Sequence, residues 1–138
     1  MRFGEGEPWE VLDTEYPLRT PWRTVRGDRI RLHDGSETRY HYFEVPDAAF
    51  VVPLTTDGKI VVIRQFRLPP RAWTWEVVGG MIGADEAPIV AAERELREEV
   101  GGISSRLVPL GSYYACAGSL SSRHHAFLGL DVELIDPD

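Results

Sequence analysis

From Gly80 to Gly101 the chain reads GMIGADEAPIVAAERELREEVG, and no other stretch constrains the fold as much. Residues 87 to 100 form the best helix in the sequence. Ile89, Ala92, Leu96 and Val100 recur at three- and four-residue steps and give one apolar stripe. Asp85 or Glu86 stands where it can cap the start, Pro88 is tolerated in the first turn, and Gly101-Gly102 ends the helix. On such a helix Glu95, Glu98 and Glu99 fall at i, i+3 and i+4 and share a face. Like charges at that spacing repel. Either the face is simply solvated, or a divalent cation gathers the three carboxylates. Glu86 lies before the helix, and a returning loop lets it pair with Arg94. Gly79 and Gly80 lack a Cβ and so permit close approach of backbone to a ligand.

The rest of the chain reads mainly as strands. Trp9 to Val11 starts a short strand, and Glu15 to Arg31 holds one or two more, broken by turns. Asp34-Gly35 marks a hairpin turn, with Arg39 to Val45 as the returning strand. Ala48 to Leu54 and Lys59 to Gln65 are two apolar strands flanking Asp57-Gly58, which reads as an antiparallel hairpin. Arg67 to Arg71 is a loop with two prolines, and Trp73 to Val78 is extended. Leu107 to Tyr114 and His125 to Glu133 are further strands, separated by a small-residue loop. Many strands around one firm helix predict a mixed α/β or α+β domain.

Composition excludes several classes. The 138 residues carry a formal charge of −7, so no broad basic surface is implied and a nucleic-acid partner is not expected. A small anionic substrate needs only local positive charge or a bound metal. No run approaches the roughly 20 apolar residues of a membrane span. The first ten residues carry acidic side chains and no apolar core of a secretory signal. The single cysteine, Cys116, forms no internal disulfide and reads as a small, partly buried residue. These features together predict a cytoplasmic protein.

The run from Gly80 resembles the signature of the Nudix hydrolase family, G-x5-E-x7-R-E-U-x-E-E-x-G-U, where U is bulky and apolar. Gly80, Glu86, Arg94, Glu95, Leu96, Glu98, Glu99 and Gly101 match, and Gly102 departs at the final apolar position. The resemblance implies an α/β/α sandwich with a mixed sheet, and hydrolysis of a nucleoside diphosphate linked to another moiety. It implies Glu95, Glu98, Glu99 and the Gly80 carbonyl as metal ligands, for Mg2+ or alternatively Mn2+, and a structural ion pair between Glu86 and Arg94. It implies a β region over 1–45 on the dimerisation and substrate side, and a catalytic domain over 46–138. Family domains continue into a second helix, so a chain ending at Asp138 is expected to lack that helix or to be truncated.

Pro46-Asp47-Ala48, VVIRQFR (61–67) and WTWEVVGG (73–80) are similar to blocks of the ADP-ribose pyrophosphatase branch. That branch implies a nucleoside diphosphate sugar as substrate and a homodimer. Arg67 then touches phosphate or holds the site loop, with a surface ion pair as the plain alternative. Glu76 bonds the ribose or phosphate side, or supports Arg67. Trp22 or Tyr42 stacks on adenine, and Arg23 or Arg26 approaches the phosphate or the base. Tyr114 to Arg123 occupies the place of a block, Y-P-S-P-G-x-x-x-E-R, in which Gly118 and Arg123 match. Both prolines are alanines, and Ser122 stands where the branch has a glutamate that is often the general base. A serine hydroxyl is not a competent base at neutral pH. The role passes to Glu98, Glu99, His124 or His125, or the metal supplies most of the water activation and turnover is slow, or the protein binds without turning over. His125 is as readily a strand-packing residue.

Overall fold

The computed structural model describes residues 9–21 and 23–135. These fall into two compact units, one reaching to Val45 and including Cys116–Ser121, the other Pro46–Ala115 with the chain from Ser122 onward.

The first unit is a three-stranded antiparallel sheet of β1 (Glu10–Arg19), β2 (Thr24–Arg31) and β3 (Glu37–Glu44), with β2 central. The sequence suggests shorter strands here. The observed β1 runs ten residues because Pro17 sits on an edge strand, where its missing N–H costs no ladder bond, and the register shifts between Glu15 and Leu18. The Asp34-Gly35 turn forms as expected, with Gly35 at φ 83° and Asp34 accepting bonds from the Ser36 amide and hydroxyl. Alternation gives the sheet two unlike faces. One carries cross-strand ion pairs of Arg29 with Asp13 and Glu37, of Arg31 with Glu10 and Glu37, and of Arg39 with Glu15. The other carries Ile30, Tyr40, Tyr42 and the buried Asp28, whose carboxylate accepts bonds from Thr14, Arg26 and Tyr42.

The second unit holds β4 (Ala48–Thr55), β5 (Ile63–Arg67), β6 (Ala72–Glu76), β7 (Val78–Met81), α1 (Pro88–Val100), β8 (Gly102–Ile103), β9 (Arg106–Tyr113) and β10 (His124–Leu134). Its main sheet has the order β7-β4-β10-β8, with β9 also on β10. The β4–β10 pair is parallel and the others antiparallel, so the sheet is mixed, as expected. α1 packs Ala91, Ala92 and Leu96 onto Ala49, Val51, Val78, Leu107, Phe127 and Val132, and this layer is the core. It is the single helix among the described residues, so the expected sandwich shows one helical layer there. No helix of the described residues is long and apolar enough to cross a membrane.

Three local expectations change. The Lys59–Gln65 segment does not form a hairpin with β4. The two meet only at the Leu54–Ile60 bridge, and β5 pairs with β6 as a separate two-stranded ribbon. Both edges of β4 are taken, by β7 and β10, which leaves no ladder for its sequence neighbour. The cap of α1 is Ala87 and makes no side-chain bond. Glu86 is committed elsewhere, accepting the Gly83 amide at 2.8 Å, and Asp85 adopts φ 62°. In the apolar stripe, Ala91 is buried and Ile89 is exposed.

Candidate active site

β7 brings Gly79 and Gly80 alongside Phe50 and Ala49 of β4, and α1 crosses this strand. A Cβ on Gly80 would run into the Glu95 carboxylate, so glycine there is what lets that carboxylate lie against the backbone. One helical turn further, Glu99 Oε2 accepts the Gly79 amide at 2.9 Å. Burial pushes the Glu99 carboxyl above the usual carboxylate range, and the charges of Glu95 and Glu76 add to the rise. The Gly79 N–H and Arg67 oppose it. The Glu98 side chain is 58% exposed, against 13% for Glu95.

Arg94 organises the helix start. Its Nε and Nη2 donate to the two oxygens of Glu86 at 2.9 and 3.0 Å, and Nη2 also donates to the Met81 carbonyl at 3.1 Å. Its Nη1 donates to Glu95 at 2.6 Å and to Glu98 at 3.1 Å. The Arg94 bonds hold Glu86 at a pKa of about 2, helped by the Gly83 amide. The expected Glu86–Arg94 pair is therefore formed, and it ties the 81–86 loop across the first turns of α1. Among the described residues, no three acidic, histidine or cysteine side chains converge on a common point that would hold an ion. Arg94 draws Glu95 and Glu98 toward itself. The donor set nevertheless suits a hard divalent cation. Two carboxylates one turn apart face a Cβ-free backbone, and Glu99 is destabilised in its charged form by burial and by Glu95.

Next to Gly79 opens a cavity of about 360 Å³ on the sheet face opposite the helix. Phe50, Val52 and Ala126 line it from β4 and β10, together with Val77 and Tyr113. Its polar wall is Arg67 and Glu76. Arg67 Nε donates to Glu76 Oε1 at 2.8 Å and Nη2 donates to Oε2, while Gln65 and Thr74 donate to the same carboxylate. These bonds, Arg67 first and Thr74 next, lower the Glu76 pKa to about 2. Glu76 thus supports Arg67, one of the roles open to it in the sequence, and both border the same cavity.

His124 packs between Phe50 and Tyr113, with ring centroids 4.9 and 5.6 Å away. It stands with the aromatic wall of the cavity and makes no bond to the helix carboxylates. His125 points to the other face of β10, with Nε2 3.6 Å from Asp47 Oδ2. Ser122 is 3% exposed. Arg23 and Gly118 belong to the first unit, where Gly118 accepts a bond from Tyr40 at 2.6 Å. Trp22 lies outside the described residues. Cys116 is exposed, against its expected partial burial, because it heads an open turn. Sequence reasoning missed Phe50, Tyr113 and Asp47. Asp47 accepts the Ile82 amide at its carbonyl and the Arg123 amide at its carboxylate, linking the Gly80 loop to the start of β10. Only its place beside Pro46, ahead of an apolar strand, hinted at this.

Comparison with known proteins agrees with this geometry. The sequence profile of the NUDIX domain matches residues 44–134, and that of the nucleoside diphosphate sugar hydrolase N-terminal domain matches residues 9–43. The chain is 30% identical over 112 residues to CMP-5'-(N-acetyl-N-hydroxy-3-aminopropyl)phosphonate hydrolase of Streptomyces rubellomurinus, covering 81% of this chain and 54% of that protein. It is 28% identical over 107 residues to ADP-ribose pyrophosphatase of Bacillus subtilis, covering 78% and 58%. The chain spans about half the length of the curated relatives it matches. A solved structure described as an ADP compounds hydrolase superposes with a TM-score of 0.82 at 24% identity, over 96% of this chain and 73% of that one, which shows the shared fold. With the profile spanning most of its length and the signature residues held in one loop–helix unit, the chain belongs to the Nudix family.

Proposed function

We propose that this protein is a metal-dependent pyrophosphatase that hydrolyses ADP-ribose or a related nucleoside diphosphate sugar to AMP and a sugar phosphate. The observation that carries the reading is the junction at Gly79. There the carboxylates of α1 and the Arg67–Glu76 wall of the cavity border one strand of backbone. The relatives named ADP-ribose pyrophosphatase support the substrate class. Glu95, Glu98, Glu99 and the Gly80 carbonyl would hold Mg2+ or Mn2+. When bound, such a cation offsets phosphate charge and lowers the pKa of a coordinated water.

The chain's own residues account for the rest. The protein is acidic overall, so local positive charge must receive the pyrophosphate, and Arg67 is the guanidinium on the cavity wall. Glu76 fixes the Arg67 fork in place, which lowers the ordering cost of binding. Phe50 and Tyr113 offer flat apolar surface to the organic part of the substrate. Arg94 and Glu86 keep the Gly80 loop on the helix. Glu98, more exposed than Glu95, is open to accept the proton of an attacking water.

The direct test incubates the protein with Mg2+ or Mn2+ and ADP-ribose, NADH and nucleotide sugars, and follows AMP or phosphate release. Release from another dinucleotide or sugar alone would reassign the substrate. A second reading, a nucleotide-binding module of weak turnover, rests on the buried Ser122 at the glutamate position. Tight ADP-ribose binding with no release from any substrate would establish that reading and sink the first.

A further inference from the structure

Asp47 immediately precedes β4, and its acceptors hold two different neighbours of that strand. Its main-chain carbonyl accepts the Ile82 amide at 2.8 Å, which carries the β4–β7 ladder one step past Met81 into the signature loop. Its side chain turns to β10. There Oδ1 accepts the Arg123 amide at 2.8 Å, while the Arg123 carbonyl accepts the Ala48 amide at 3.0 Å. Both main-chain groups of Arg123 are thereby fixed one residue ahead of the first β4–β10 pair, Ala48 and His124. A parallel ladder runs on main-chain acceptors, and at its start here a carboxylate takes that place. The second oxygen, Oδ2, lies 3.6 Å from His125 Nε2, beyond hydrogen-bond reach. The residue that follows Arg123 is His124, whose ring stands 4.9 Å from that of Phe50 and 5.6 Å from that of Tyr113, both of which line the cavity.

We propose that Asp47 is a positioning residue, and that its carboxylate sets the wall of His124, Phe50 and Tyr113 by holding the Arg123 amide. The kinetic consequence rests on the pyrophosphatase reading above; the structural one does not. The two bonds of Asp47 divide the site. Every substitution keeps the main-chain carbonyl, so the Ile82 bond remains and the Gly80 loop stays on its strand. Only the side chain reaches Arg123, so its loss releases only the wall. The carboxylate is 47% exposed, and water can take over the freed amide at little cost to the fold. Water does not reproduce the fixed direction of the Arg123 N–H, and with it the placing of the next ring. A wall that grips the organic part of a substrate grips ground state and transition state alike. Loosening it therefore raises KM and spares kcat.

Two readouts test this in the full chain. One is Mg2+-dependent hydrolysis of ADP-ribose. The other is the proton NMR spectrum of the His124 imidazole, assigned by its absence from a His124→Gln variant and displaced by the two neighbouring rings. Asp47→Ala is expected to raise KM at least about tenfold with kcat within about threefold, and to return the His124 resonances toward those of a free imidazole. Asp47→Asn keeps an oxygen for the Arg123 amide and removes the charge facing His125, so it is expected to behave as wild type in both readouts. Should Asp47→Ala fail to fold, Asp47→Leu keeps the side-chain shape without its oxygens and takes its place. An unchanged KM, a fall in kcat alone, or unmoved His124 resonances in the Ala or Leu variant would overturn the proposal. So would an Asn variant as impaired as Ala, which would show that the carboxylate acts by charge on His125. If the wild type hydrolyses no nucleotide, the pyrophosphatase reading fails, and the His124 resonances alone decide the role of Asp47.

Discussion

Gly79 and Gly80 are adjacent, yet the structure gives a methyl group opposite consequences at the two positions. Neither has positive φ, so alanine is allowed by the backbone at both. At Gly80 the atoms nearest the added Cβ all belong to the Glu95 side chain, with Glu95 Cδ at 2.5 Å and Oε2 at 2.7 Å. That carboxylate ends a flexible chain and can swing away. Arg94 keeps Glu86 and Glu98 when it loses Glu95. At Gly79 the Cβ would lie 2.5 Å from the Ala49 carbonyl oxygen and 2.9 Å from Phe50 Cα, both main-chain atoms of the central strand. Gly79→Ala must shift the ladder and is expected to cost about 2–3 kcal/mol, the range of overpacked cores. Gly80→Ala is expected to cost under about 1 kcal/mol and to lower metal affinity and hydrolysis about 10–100-fold by displacing Glu95. Urea unfolding followed by tryptophan fluorescence gives the first quantity, and Mg2+ titration of ADP-ribose hydrolysis gives the second. Equal destabilisation by both variants, or a fully active Gly80→Ala, would refute the placing of Glu95 against Gly80 as the reason for this glycine.

Other expectations follow from the same geometry. Ser122→Glu puts a carboxylate at a position 3% exposed, so it is expected to lower the melting temperature and not to raise the rate; a faster enzyme would show that the site accepts a base from this position. Glu99→Gln removes a charge that burial disfavours, so it is expected to raise the urea midpoint at pH 7 while abolishing Mg2+-dependent turnover, and a drop in midpoint would contradict the raised pKa. Glu76 is held at a pKa of about 2 against an ordinary 4.5. Its lowered value stabilises the fold above the ordinary pKa, and that contribution is lost as pH falls toward 2. Arg67→Ala is therefore expected to lose about 1–2 kcal/mol at neutral pH, discounted for the half-exposed arginine, with the gap to wild type closing in urea melts between about pH 5 and pH 2. Gly101→Ala places a Cβ 2.5 Å from the Ile135 carbonyl at φ 62°, so it is expected to destabilise by more than the roughly 1 kcal/mol of a simple left-handed penalty.

What the sequence made legible divides along the range of the contacts. The Asp34-Gly35 turn, the span of α1 and the Glu86–Arg94 pair are settled within a few residues, by positive φ, by a 3.6-residue period and by one turn of helix. The pairing of β4 was misread because a nearby apolar strand across Asp57-Gly58 is the cheapest local partner. The actual neighbours, β7 and β10, compete successfully from about 30 and 75 residues away through burial of Val51, Val78 and Phe127. The cavity was illegible for the same reason. Phe50, Tyr113 and Ala126 share a face only once the β4–β10 and β9–β10 registers are set. The departure at Gly102 belongs to the opposite class. A Cβ there would lie 2.9 Å from Leu96 Cδ1, so in this chain Leu96 already occupies the space beside Gly102, and the helix closes on its own leucine. A signature read from sequence thus fixes the loop and helix that carry the carboxylates. The cavity wall is assembled from strands whose separation in the chain hides it, so under the proposed function substrate choice is to be sought at Phe50, Arg67, Glu76 and Tyr113 before it is sought in the signature.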